Sequence, residues 1–295
     1  MTSDNSKVHS AASGKSKEKR RTLSLEFIND DRSIEEDIDD VTSPLLSKFK
    51  TINGRDFFDI EDLNYILPSD KLETDRETLC GSGNWIIDMA LEYPSSTFIG
   101  IDVNSSFFPS SDKYPPNVCF LTSNVTYGIP FPMETFDFVY LSMMYSAFTE
   151  QQWFELTKDI VRVLKYDGWI ESLEATALCL NRGKVTKWIE EAACMKEKDI
   201  NCRITELVPK IFESNGLTNI QCIKIEYPVG EWFGCFGKYS MNNLRRLFQS
   251  FVFLPEYMGI SYEEYIDLLD IFVKEANENK TYTHLQRCFA KKTWI

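Results

Sequence analysis

The order of apolar segments predicts an α/β fold: an open, mainly parallel sheet with helices on both faces and a helical cap towards the C-terminus. Three observations carry this. Short apolar runs (TFIGID, VCFLTSNV, FDFVYLSMM, WIESLE and NIQCIKIEYPV) read as strands. Segments with helical spacing stand between several of them, and strands that alternate with helices form crossovers, hence parallel pairs. The last stretch, Met241–Ala290, breaks the alternation with two helix-like segments, LRRLFQSFVFL and SYEEYIDLLDIFVKEANE.

Taken in order, residues 1–45 are rich in Ser, Lys, Asp and Glu and poor in apolar side chains, the composition of a disordered tail. Its KSKEKRR run is either a nuclear-import patch or a solvated stretch; the second reading is preferred, because EEDIDD follows closely. Residues 46–79 form an N-terminal extension, mostly loop from Gly54 to Arg76. The α/β core spans 80–230, and a C-terminal strand and helical cap follow over 231–295. Within the core, WIIDMALEY has Trp85, Met89 and Ile86 or Ala90 on one helical face and stops at Pro94. QQWFELTKDIVRVLK repeats apolar residues at Trp153, Leu156, Ile160, Val163 and Leu164. Further helices are expected near Val185–Lys196 and over Ile204–Ser214, the latter closed by Gly216 as a C-cap glycine.

Charge and composition exclude several functions. A net charge of -13 does not suit a protein that coats nucleic acid or an anionic membrane. No apolar run approaches the roughly 18 residues of a membrane span, and no apolar leader is seen, so a cytoplasmic or nuclear location is expected. The eight cysteines lack any CxxC pair and read as free thiols in a reducing compartment. A metal site on Cys194 and Cys202 lacks the usual spacing, and none is expected. With two histidines, a Ser-His-Asp triad has little material; His284 reads as a helix-surface residue.

The segment CGSGNWIIDMALEYPSSTFIGID places two glycines, Gly81 and Gly83, at a helix start. Without Cβ atoms the chain turns sharply there and a ligand approaches the main chain closely. The helix N-terminus favours a carboxylate or phosphate. Asp102 follows about twenty residues on, at the carboxyl end of the next strand, where an acid accepts ribose hydroxyls. A dinucleotide fingerprint needs a third glycine where Ile86 stands, so a nicotinamide-dependent oxidoreductase is disfavoured.

With PPNVCFLTSNVTYGIPFPMETFDFVYLSMMYSAFTEQQWFELTKDIVRVLKYDGWIESLE downstream, this segment resembles the class I S-adenosylmethionine-dependent methyltransferases. The likeness is nearest to the fungal group related to secondary-metabolism regulators. It runs from about Asn53 to the C-terminus and includes NGRDFFDIEDLNYILPSD, PVGEWFGCFGKYS and MGISYEEY. The resemblance implies a Rossmann-like sheet and S-adenosyl-L-methionine as cofactor. It implies that Gly81 and Gly83 line the methionine moiety, Asp102 holds the ribose and Val103 touches the adenine. Asn124 and Val125 would flank the adenine, and Leu141 and Ser142 would approach the sulfonium. KYDGW departs mildly from the family's Pro-Gly-Gly turn.

One departure is larger. In such relatives an apolar strand ending in an acid and a glycine precedes the glycine turn, and here polar LETDRET stands there. The simplest account is the loss of about thirty residues, one helix and the central first strand. Leu79 occupies the place of the first glycine, and Glu77 that of the acid. A central parallel strand is buried on both faces, and burying unpaired charge there costs several kcal/mol, on the order of 5. Either the segment forms a short irregular strand or the sheet fails to close, and weak or absent cofactor binding is expected.

Methyl transfer relies on positioning of donor and acceptor, so no catalytic base is named. Acceptor-side candidates are Met143, Met144, Tyr145, Glu174, Trp232 and Phe233, with Tyr257 and Met258 in the cap. Core packing is preferred for Met143 and Met144, cap-to-core packing over an apolar pocket for Tyr257 and Met258, and a solvated strand end is an equal reading of Glu174. The expected function is methyl transfer to a small-molecule acceptor, with neither nucleic acid nor membrane as partner. The rival is an inactive methyltransferase-fold binding or regulatory protein.

Overall fold

A computed structural model describes residues 49–58, 67–68, 83–176, 178–194, 201 and 203–294. The tail, the KSKEKRR run and the polar segment 72–78 lie outside them. The first described element is a hairpin of β1 (Phe49–Ile52) and β2 (Arg55–Phe58). Asn53 and Gly54 both have positive φ, 50° and 75°, as a tight two-residue hairpin turn requires. Loop was expected from Gly54 onward; the Asn-Gly dipeptide was the overlooked signal.

The sheet follows the expected α/β order but stands in two pieces among the described residues. The smaller joins β3 (Phe98–Asp102) and β4 (Val118–Thr122) in parallel. The larger has the order β5-β6-β8-β7, from β5 (Phe136–Ser142), β6 (Leu164–Ala175), β7 (Thr218–Val229) and β8 (Thr281–Lys291). β5 and β6 are parallel, while β8 runs antiparallel to both β6 and β7. β7 therefore points the same way as β5 and β6, and the carboxyl ends of all three share one edge. Among the described residues β3 pairs with β4 alone and β5 with β6 alone. The sheet is not closed where a central strand was expected, and Phe138 on β5 stays 45% exposed.

Helix α1 (Asn84–Glu92) buries Ile86 and Ala90 against Val118, with Trp85, Phe98 and Phe120 around them. The Asn117 side chain, ahead of β4, donates to the carbonyls of Ala90 and Ser96 and so ties α1 to the strand pair. The two sheet pieces meet through Trp85, whose ring stacks on Tyr140 of β5 at 4.1 Å. Ile101 also reaches the larger core.

That core lies under α2 (Glu150–Val163) and α4 (Ile204–Ser214). Trp153, Ile160, Val163 and Phe212 bury fully against Leu164, Ile170 and Ala290. Thr149 and Gln152 form a capping box at the start of α2, each side chain bonding the other's backbone N–H. On β6 the face bearing Ile170, Ser172 and Glu174 is buried, and the face bearing Trp169, Glu171 and Leu173 is partly open.

The cap departs from expectation in its position. Helices α5 (Gly234–Ser250), α6 (Leu254–Met258) and α7 (Tyr262–Glu278) are inserted between β7 and β8. They pack with α3 (Lys184–Ala193) around Ile189, Val229, Phe248, Tyr265 and Phe272. The chain then returns as β8 into the middle of the four-stranded piece. His284 thus lies half-buried on a strand, not on a helix surface. The thiol expectation is also corrected: Cys222 and Cys288 face each other across β7 and β8 and form a disulfide. Direct cross-strand pairing brought them together, which spacing along the chain does not reveal. Cys119, Cys179, Cys194 and Cys235 are outside any disulfide among the described residues.

The cap is fastened to α3 by one carboxylate. Glu275 of α7 accepts the backbone N–H groups of Val185 and Thr186, at 3.0 and 2.9 Å, and the Thr186 hydroxyl. Burial pushes the Glu275 carboxyl up, but these bonds more than offset it and hold it below its ordinary value. Gly183, the N-cap of α3, leaves the room: a Cβ there would collide with the Glu275 carboxyl group. Gly183→Ala is therefore expected to cost about 2 kcal/mol, and Glu275→Gln about 1 kcal/mol, in urea unfolding. The Glu275 contribution should fade as pH falls through its lowered folded-state pKa, since a protonated carboxyl loses the helix-end attraction.

Candidate cofactor site at the strand ends

The glycine turn enters the described structure at Gly83, in the left-handed region with φ 71°, as the N-cap of α1. Its carbonyl accepts the Ile87 N–H at 3.0 Å. Gly81 lies outside the described residues. A Cβ on Gly83 would stand 2.6 Å from Phe120 Cε1, and one on Gly100 2.9 Å from the same atom. Both positions therefore lie against one ring, which makes the start of α1 a neighbour of β3. Asp102, two residues past Gly100, projects from the same face of that strand. The helix start thus lies beside the strand that ends in the acid. The clearance beside Gly83, however, is taken by Phe120, itself packed on Phe108 and Tyr114 at 4.9 and 5.1 Å.

At the end of β3 the Asp102 carboxylate accepts the Asn104 N–H at 2.8 Å. Burial raises its pKa to about 6, against the lowering effect of bonds from Asn104 and Val103. Val103 itself is partly buried. At the end of β4, Asn124 caps a 3-10 turn by accepting the Thr126 N–H and hydroxyl at 3.0 and 2.8 Å. Asn104 does the same after β3, accepting the Ser106 N–H at 3.0 Å. Asp102 faces Thr122 in the register, so the two asparagines stand at matching positions just beyond adjacent strands. Both are buried, at 4% and 3% exposure, and neither Nδ2 donor has a partner among the described residues. Native proteins seldom leave such donors unpaired, and a pair of them marks a place built to receive acceptors. Sequence reasoning missed Asn104, though its offset from Asp102 matches that of Asn124 from Thr122.

Across the gap, Leu141 is partly buried against the larger core, as is Val125. Ser142 ends β5 opposite Leu173. Met143 follows with φ 57° and donates its N–H to the Leu173 carbonyl at 2.9 Å. Met143 and Met144 pack against the core, the preferred reading. Glu174 is neither a solvated strand end nor an exposed acceptor contact. It is 1% exposed and accepts the Tyr145 N–H at 2.8 Å and the Ser172 hydroxyl at 3.1 Å. Its work is to hold the β5–α2 connection in place. Trp232 and Phe233 follow β7 at the same sheet edge; Trp232 bonds the Val229 carbonyl and packs on Tyr282, and Phe233 is exposed. Met258 packs into the cap, while Tyr257 is exposed.

Burial pushes the Glu174 pKa from 4.5 up to about 8, against bonds from Ser172, Tyr145 and Met144. A raised carboxyl pKa means the folded state holds its proton more tightly, so stability falls as pH rises from about 4.5 to 8. Glu174→Gln is expected to remove that slope and gain on the wild type over this interval. Glu174→Ala, which strands the Tyr145 N–H and the Ser172 hydroxyl, should cost about 3 kcal/mol at pH 7. Urea unfolding of the three proteins at pH 5, 7 and 8.5 measures both effects.

Comparison with known proteins bears on the same region. Residues 77–168 match a family described as a methyltransferase domain. The chain is 22% identical over 218 residues to the N-methyltransferase verN of Clonostachys rogersoniana, covering 70% of this chain and 74% of that protein. It is 33% identical over 98 residues to the secondary metabolism regulator LAE1 of Cochliobolus heterostrophus, covering 32% of this chain and 30% of that one. Among solved structures, a Haemonchus contortus phosphoethanolamine N-methyltransferase with bound S-adenosyl-L-methionine aligns with a TM-score of 0.44 and 13% identity. The alignment covers 78% of this chain and 54% of that one. Residues 77–168 thus carry a methyltransferase domain, in a chain related to an N-methyltransferase and to secondary-metabolism regulators.

Proposed function

We propose that the chain uses S-adenosylmethionine to methylate a small-molecule acceptor, through a berth at the carboxyl ends of β3, β4 and β5 that is weakened in this chain. One observation supports the reading: Gly83 and Gly100 lie against the same Phe120 ring, Asp102 ends β3, and the buried amides of Asn104 and Asn124, just past β3 and β4, have no partner among the described residues. Asp102 suits a pair of ribose hydroxyls, which donate, and the Asn104 and Asn124 amides suit the acceptor atoms of a heteroaromatic base. Val103 and Val125 would supply apolar contact to that base. Ser142 and Leu141, at the end of β5, would face the reacting end. The bound cofactor would supply an electrophilic methyl on a sulfonium, so the protein need only align the two reactants and keep water out. The likeness to the N-methyltransferase verN favours an amine acceptor, and the net charge of -13 favours a cationic or neutral one over a polyanion.

The fit is incomplete at the methionine end. Phe120 fills the clearance beside Gly83 that a close ligand needs. This observation supports the second reading, a methyltransferase-fold protein that regulates or binds without turning over.

Calorimetric titration with S-adenosylhomocysteine separates them. The proposed berth predicts weak binding, with a Kd on the order of 0.1–1 mM. Affinity should rise from pH 5.5 to 7.5 as Asp102 ionises around pH 6, and vanish in Asp102→Ala. Absence of binding across that range favours the regulatory reading, and micromolar binding contradicts the impairment.

A further inference from the structure

Among the described residues β7 pairs with β8 alone, so its other edge presents unpaired backbone N–H and C=O groups. Natural edge strands are blunted by bulges, prolines or charges that repel a second strand. β7 has such devices at its two ends. Its register shifts between Thr218 and Gln221, where Asn219 has φ 52°, and Pro228 lacks an N–H. Between them, Gln221 to Glu226 are all exposed, with Ile223 and Ile225 at 48% and 45%. The Cys222–Cys288 disulfide fastens this stretch to β8, so the edge is held ready rather than frayed.

The charges in that stretch do not act as simple repellents. Lys224 and Glu226 lie on one face of the strand, two residues apart, and neither has an ion-pair partner among the described residues. Their neighbours on β8 are Gln286 and His284. Set a second copy of this strand antiparallel to the first with Ile225 facing Ile225. Lys224 of each copy then meets Glu226 of the other, and Ile223 meets Tyr227. The segment is self-complementary in charge and in apolar character at once, which a two-fold dimer interface requires.

We propose that Gln221–Tyr227 is a homodimer seam, where two chains join β7 to β7 antiparallel about Ile225 and extend each four-stranded piece into its partner's. The occupant of the edge is a second copy of this chain. The seam lies on the sheet edge beyond β8, away from β3 and β4, so it stands or falls separately from the cofactor reading.

The test is the molar mass of the full chain by light scattering during size exclusion, at low micromolar concentration and low salt. The wild type should run as a dimer. Lys224→Glu places four acids across the seam, and Glu226→Lys four lysines; each should raise the dimer dissociation constant at least about tenfold and give monomer. The double reversal Lys224→Glu with Glu226→Lys restores both pairs and should restore the dimer. Both side chains are exposed, and a circular dichroism spectrum like the wild type's verifies folding. A monomeric wild type, a dimer indifferent to the single reversals, or a double reversal that stays monomeric each overturns the seam.

Discussion

A parallel strand in mid-sheet bonds its backbone to both neighbours, and β3 and β5 each find only one among the described residues. Everything distinctive in this molecule follows from that unmet requirement. The larger sheet piece is self-sufficient: helices α2 and α4 seal one face, and β8 knits β6 to β7. The smaller piece is not. Its private core has three buried residues, Ile86, Ala90 and Val118. Burial of that size yields a few kcal/mol, about 2 per large side chain, well short of the entropy of ordering a helix and two strands. It depends on what it borrows, namely the Trp85–Tyr140 stack and the contact of Ile101 with the larger core.

The candidate site spans this soft junction. Asp102, Asn104 and Asn124 stand on the smaller piece and Ser142 on the larger, so among the described residues their spacing is set by side-chain packing, the Trp85–Tyr140 stack with Ile101 and Val125 on the larger core, rather than by a shared ladder. Geometry held this loosely degrades methyl transfer before it degrades folding, because alignment is what the reaction asks of the protein. Phe120, packed on Phe108 and Tyr114, occupies the clearance beside Gly83.

Much of the fold was legible because local chemistry and tertiary role agree. The Thr149 and Gln152 capping box and the apolar spacing from Trp153 to Val163 specify α2, and Gly216, with φ 79°, ends α4 as a C-cap glycine should. The core strands are visible as apolar runs, and the acid at Asp102 marks the right edge of the sheet. What stayed hidden was non-local. β8 reads weakly because Thr281, Thr283 and Gln286 are buried polar residues satisfied by tertiary contacts, and its place between β6 and β7 is a matter of topology. Cys222 and Cys288 are neighbours only through that topology. Glu174 looked like a strand end facing solvent because nothing in the chain announces that the Tyr145 N–H folds back over it. Phe120 read as an ordinary strand residue, and only the approach of Gly83 and Gly100 to its ring exposes its effect on the site.

Native-state hydrogen exchange across the sheet tests the split most directly. If β3 and β4 form a unit tied to the rest by side-chain packing rather than by a ladder, the amides of Phe98–Asp102 and Val118–Thr122 should exchange through a low-energy opening, several kcal/mol (about 3 or more) below that of β6 and β8. Equal protection of β3, β5 and β6, lost together in a single cooperative opening, would show a continuous ladder across the middle and contradict the account.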